Sequence, residues 1–199
     1  MKNTKKQTKQ GLSQYRQKLA SARLKACYIR ANRDVISRGL NWYQHANVFC
    51  KEVAHNTGLK IETVAMVISA LSPAVSWELN KIQAEQMCNA FRDGLPLESV
   101  TTSTYENNRL KAWDILQGKR TITIKSPKTY AFYRNLLLDV DSVTIDRWML
   151  RIMFNRPLKS LTALRYKQCE EIMVETAREL DIFPLQLQAI TWEQIRREA

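Results

Sequence analysis

The sequence predicts an all-α protein, and three observations predict it. Gly and Pro number only 5 each in 199 residues, too few for the tight turns of a β-sandwich. Apolar residues recur at helical spacing in one segment after another. Short breaks carrying Gly, Pro, Ser or Asp separate those segments. At 45% hydrophobic, the chain can bury a real core, and its length suits one large domain or two small lobes.

Taken in order, residues 1–10 are polar and hold Lys2, Lys5, Lys6 and Lys9 with no acid. They read either as a flexible basic arm lying on phosphates or as a solvated tail. A long polar-rich helix is expected over residues 12–37. A second, over 41–56, has Trp42, Ala46, Phe49 and Val53 on one face, and Gly58 follows as a C-terminal cap. A very apolar third helix covers 61–71 and stops before Ser72-Pro73. A fourth spans 76–91 and is broken by Asp93-Gly94, and a fifth spans 105–117 and ends at Gly118. Residues 119–125 alternate weakly, as a short strand or, by preference, an extended connector. Ser126-Pro127 opens a helix to about residue 138, with proline at a favoured first-turn position. Further helices cover about 146–154 and 161–180, the latter with Tyr166, Cys169, Met173, Ala177 and Leu180 on one face. Pro184 precedes a last amphipathic helix with Leu187, Ile190 and Ile195. This makes nine or so helices, arranged as a lobe from both chain ends (11–58 and 141–199) and a central lobe (59–140).

Lys and Arg total 31 against 19 acidic residues, a net charge of +12. Such an excess points to a polyanionic partner, or otherwise to solubility alone. The longest apolar run, residues 64–71, falls far short of the roughly 20 residues of a bilayer span. No apolar stretch follows the basic N-terminus, so no signal peptide is read. Cys27, Cys50, Cys88 and Cys169 are too scattered for zinc or iron–sulfur ligation and read as core thiols of a cytoplasmic protein. His45 and His55 have no paired ligand nearby, so neither a metal nor any other cofactor is expected.

The informative stretch is Ser126-Pro127-Lys128-Thr129, followed by Val143-Thr144-Ile145-Asp146-Arg147-Trp148-Met149-Leu150-Arg151. A lysine sits in the first turn of one helix, and an aspartate 18 residues later opens the next. The positive end of a helix disfavours an ammonium ion, which makes Lys128 a candidate nucleophile. Asp146, emerging from an apolar run, can stabilise a cationic sugar or activate a nucleophile. Its plainer role is a helix N-cap. Arg147 and Arg151 suit phosphates, and Trp77 and Trp148 suit either the core or a stacked base.

These residues resemble the helix-hairpin-helix DNA glycosylases, the endonuclease III-like fold, over about residues 60–155. In that family a lysine opens a helix, and an apolar pair with an aspartate follows at similar separation. Upstream, Ala70-Leu71-Ser72-Pro73, then Trp77, Asn80 and Lys81, resembles the helix and loop that wedge into DNA. The chain is also similar to small phage-borne proteins with the same Ala-Leu-Ser-Pro and Thr-Ile-Asp-Arg signatures. The resemblance implies a two-lobed helical bundle that flips a base of duplex DNA and cuts its N-glycosidic bond. It implies Asp146 as the essential carboxylate and Lys128 as a Schiff-base amine with AP-lyase activity. Ser72, Trp77, Asn80 and Lys81 would face the gap left by the flipped base. The family's hairpin glycines are missing before Lys128, so Lys125 and Ser126 would contact phosphate by side chain. The cysteine cluster of the iron–sulfur members is also absent. Two alternatives stand beside this reading: a phage transferase that hypermodifies DNA bases on the same fold, and a non-enzymatic DNA-binding protein. RNA is a fourth, less favoured partner. A monomer is expected, in the cytoplasm, or the host cytoplasm for a phage protein.

Overall fold

The structure is a computed structural model describing residues 11–156 and 161–198. The expected basic arm lies outside the described residues. Among the described residues, all regular structure is helical. The helices are α1 (Gln14–Ile29), α2 (Arg33–Thr57), α3 (Ile61–Leu71), α4 (Trp77–Arg92), α5 (Glu106–Leu116), α6 (Pro127–Leu136), α7 (Arg147–Phe154), α8 (Ala163–Glu179) and α9 (Pro184–Arg197). A 3-10 turn, Leu97–Ser99, adds an element that the sequence pattern does not signal. Residues 119–125 form a connector without strand structure.

The chain divides into two units. The first joins the chain up to Tyr43 with the chain from Asp139 onward, and the second is Gln44–Leu138. The first division therefore falls inside α2, not after residue 58.

In the first unit, α1 packs on α7, α8 and α9. Its N-cap is Ser13, whose hydroxyl accepts the Arg16 N–H at 3.4 Å. The helix expected over 12–37 is in fact two. Asn32 interrupts it because its side-chain oxygen accepts the Val35 N–H at 3.0 Å and starts α2 afresh. The break implied at residues 38–40 does not occur, since α2 runs through it. Gly39 lies buried in mid-helix, where an added Cβ would meet Ile190 Cγ1 at 2.5 Å and Ile190 Cα at 2.6 Å. This glycine permits close approach of α2 and α9. The main core of this unit includes Leu24, Met149, Met153, Met173 and Leu187, all fully buried. Three of these five are methionines, which fill irregular gaps readily.

In the second unit α3 is central and packs against α4, α5 and α6. Seven of its 11 residues are buried, which explains its nearly unbroken apolar sequence. One of them is polar. The Ser69 hydroxyl donates to the Thr129 carbonyl at 2.7 Å and ties α3 to the first turn of α6. Ser76 caps α4 through the Leu79 N–H. The turns after α2 and α5 need a left-handed residue, and Gly58 and Gly118 supply it with φ of 69° and 71°.

Cys27, Cys50, Cys88 and Cys169 are all buried and unbridged. Burial pushes the Cys27 thiol up to about 11 and the other three up to about 12, so they act as small apolar residues. Among the described residues no helix is long and apolar enough to cross a membrane. Nor does any group of three His, Cys, Asp or Glu side chains there form a possible metal site.

Candidate functional site

Asp146 lies in the first unit, at the start of α7. Val143, Thr144 and Ile145 form a buried segment leading into α7. Apolar Val143 and Ile145 anchor it, and Asp146 follows as the N-cap with extended backbone. Its Oδ1 accepts the Trp148 N–H at 2.8 Å and the Met149 N–H at 3.0 Å. A carboxylate here is also favoured by the positive end of the helix.

Two buried tyrosines brace the segment from behind. The Ile145 N–H donates to the Tyr166 phenol oxygen at 3.2 Å. The Tyr43 phenol hydrogen-bonds the Thr144 side chain and donates to Gln188 Oε1 at 2.7 Å. Burial raises the pKa of both phenols, and the Asp146 charge adds to the effect. They therefore stay neutral and hold the backbone without competing charge. The arrangement fixes one carboxylate at a set position, as stabilisation of a developing positive charge requires.

The rest of α7 adds cations and a ring. Arg147 and Arg151 are exposed and lie over the half-buried Trp148 ring, at 5.2 Å and 5.7 Å from guanidinium carbon to centroid. At these distances each guanidinium is within cation–π range of the ring. Asp146, Arg147, Trp148 and Arg151 are thus brought together on one short helix.

The remaining candidates lie in the second unit, in two groups. Lys125 and Ser126 are exposed in the turn before α6, and Lys128 is exposed in its first helical turn. The other group sits at the junction of α3 and α4. The Ser72 hydroxyl donates to the Ser69 carbonyl at 3.0 Å, closing the end of α3. Trp77 is half-buried, edge-on to Phe49 with centroids 6.4 Å apart. Lys81 pairs with Glu78 at 2.8 Å and lies near both rings, 5.8 Å from Trp77 and 5.9 Å from Phe49. Asn80 departs from expectation. It is 2% exposed, and its amide donates to the Ile68 carbonyl at 3.2 Å. The reason is its register: it follows Trp77 by three residues and precedes buried Gln83 and Ala84 by three and four, so it lies on the core face of α4. It belongs to the core and not to a DNA-facing surface.

Sequence reasoning missed Tyr43, Thr144 and Gln188 as supports for Asp146, and it placed Tyr166 only on a core face. It also missed Glu170, one turn beyond Tyr166 on α8. Burial, aided by Glu171 and opposed by Lys167, pushes the Glu170 carboxyl up to about 7. A signal was available: Glu170 directly follows Cys169 on the apolar face of α8, where an acid is out of place.

A family model described as a family of unknown function, DUF7178, matches residues 1–199. No curated protein and no solved structure matches the chain.

Proposed function

The chain belongs to the DUF7178 family, whose function is unknown, and on that premise we propose that it is a DNA glycosylase-like enzyme acting on duplex DNA. One observation carries the reading. Asp146 is fixed by two backbone N–H groups on a braced segment, beside two arginines within cation–π range of Trp148. The net charge of +12 supports a polyanionic substrate.

In this reading the arginines hold phosphate, the target base is extrahelical, and Asp146 faces the sugar. As the N-glycosidic bond lengthens, the base departs with the bonding electron pair and is protonated. Asp146 stabilises the positive charge left on the sugar. Lys128 forms a bond to C1′ through its amine, and ring opening gives a Schiff base from which elimination nicks the strand. The enzyme works in the cytoplasm and needs no metal.

Borohydride trapping on duplexes carrying uracil, oxidised, hydroxymethylated or abasic sites tests this. The reading expects a covalent adduct that disappears in Lys128→Ala. Released base without an adduct would leave the glycosylase reading standing and remove the lyase step. Neither base nor adduct on the whole panel would refute the reading.

One observation favours a second reading, a non-enzymatic DNA-binding protein. The Asp146 oxygen that accepts both N–H groups is doing the ordinary work of an N-cap. Under that reading duplex binding survives both Asp146→Asn and Lys128→Ala, and the parent protein releases no base.

A further inference from the structure

The connector before α6 holds two isoleucines two residues apart, with opposite fates. Ile122 is 4% exposed and Ile124 is 75% exposed. In a continuing strand both would share one face. A tight turn separates them instead, closed by the Ser126 N–H donating to the Thr123 carbonyl at 3.0 Å. Ile124 and Lys125 occupy its two corners. Turn corners favour Gly, Asn, Asp, Ser or Pro, so a β-branched aliphatic there does nothing for the turn. Single exposed aliphatics are common on protein surfaces. This one differs in sitting at the tip of a closed turn whose flanking sequence is cationic. Ile122 anchors the chain before it, the Thr121 hydroxyl donates to Met66 Sδ at 3.4 Å, and Pro127 fixes the chain after it.

Charge identifies what such a tip would meet. Between Asp114 and Asp139 the sequence has Lys119, Arg120, Lys125, Lys128 and Arg134, and no carboxylate. Arg120 also lies close enough to Lys111 to help burial hold that ammonium below its ordinary range. We infer that the 123–126 turn is a duplex-DNA wedge: Ile124 inserts between base steps while the flanking cations hold phosphates. This rests on the DNA-binding part of the proposed function and on none of its chemistry. A stiff aliphatic wedge kinks duplexes, whereas proteins that hold single strands stack bases on aromatic rings. One isoleucine is too little apolar surface to anchor a protein to a membrane.

The test uses the full chain and a short duplex with 2-aminopurine at successive steps, whose fluorescence rises when a base unstacks. Wild type is expected to bind and to raise the signal at one step. Ile124→Ala is expected to bind about tenfold more weakly without that rise, because unstacking no longer occurs. Its salt dependence should be unchanged, and its melting temperature should match wild type because the side chain is exposed. Lys125→Ala with Lys119→Ala should instead lower the salt slope by about 2 and keep the rise at saturation. Ile124→Ala that binds and unstacks like wild type would overturn the wedge while leaving DNA binding intact. Failure of wild type to bind duplex at low salt would overturn both. Ile124-dependent binding to anionic vesicles, without duplex binding, would overturn the wedge and assign the tip to a lipid surface.

Discussion

Gly39→Ala separates helix propensity from packing. In the middle of a helix, alanine is favoured over glycine by about 1 kcal/mol, so propensity alone predicts stabilisation. Packing predicts the reverse. The new methyl would lie 2.6 Å from Ile190 Cα and 2.8 Å from Ile190 N, where ordinary contact begins at 3.4 Å. The α9 backbone must therefore retreat by about 0.8 Å, since backbone atoms have no rotamer to change. That movement loosens Ala31, Val35 and Ile190, which pack as one small cluster. Overpacking against backbone belongs at the upper end of the usual range, about 3 kcal/mol. Subtracting the propensity gain leaves a net loss of about 2 kcal/mol, which for a chain of this length lowers Tm by about 5 °C. Thermal and urea unfolding followed by circular dichroism measure it. A Gly39→Ala variant as stable as wild type, or more so, would refute the close approach of α2 and α9.

Three further substitutions test other parts of the account. Asn32→Ala removes the cap that starts α2 and should cost about 1 kcal/mol in urea unfolding, whereas Asn32→Asp should cost a few tenths. Asp146→Ala should destabilise by about 1 kcal/mol, and Asp146→Asn, which still caps, by much less; equal losses would show that charge, not capping, stabilises α7. Glu170 titrates near 7 in the folded chain against 4.5 for a free carboxyl. Between those values the folded state keeps a proton that the unfolded chain has released, so stability falls as pH rises through this window and stays lower above it. After discounting for its half-exposed position, Glu170→Gln should gain about 1 kcal/mol at pH 8 and nothing near pH 4; an equal gain at both pH values would contradict the assignment.

Helix positions were legible in the sequence wherever a terminator stood beside an apolar run. The end of α3 before Ser72-Pro73 and the left-handed glycines at 58 and 118 are local chemistry, and local chemistry is written locally. The gap expected at residues 38–40, which contains Gly39, does not form for the complementary reason. A glycine that ends a helix and one that admits a neighbouring helix look alike until Ile190, 151 residues away, is placed against it. Asn80 shows the same limit, because its burial depends on how α4 rolls against α3. Asp146 could be singled out from its spacing and its apolar approach. Its supports could not, since Tyr43, Tyr166 and Gln188 come from three different helices: only in the fold do Tyr43 and Tyr166 meet residues 144–145, and Gln188 meet Tyr43.

The central claim is that Asp146 does chemistry on a DNA sugar, and single-turnover release of free base by wild type and Asp146→Asn tests it most directly. Asparagine retains the N-cap and removes the charge, so fold and DNA affinity should persist. The account predicts base release by wild type from at least one damaged or modified duplex, and a fall of about a hundredfold or more in Asp146→Asn, as expected on losing a preorganised electrostatic group. Equal release by the two proteins would contradict the account.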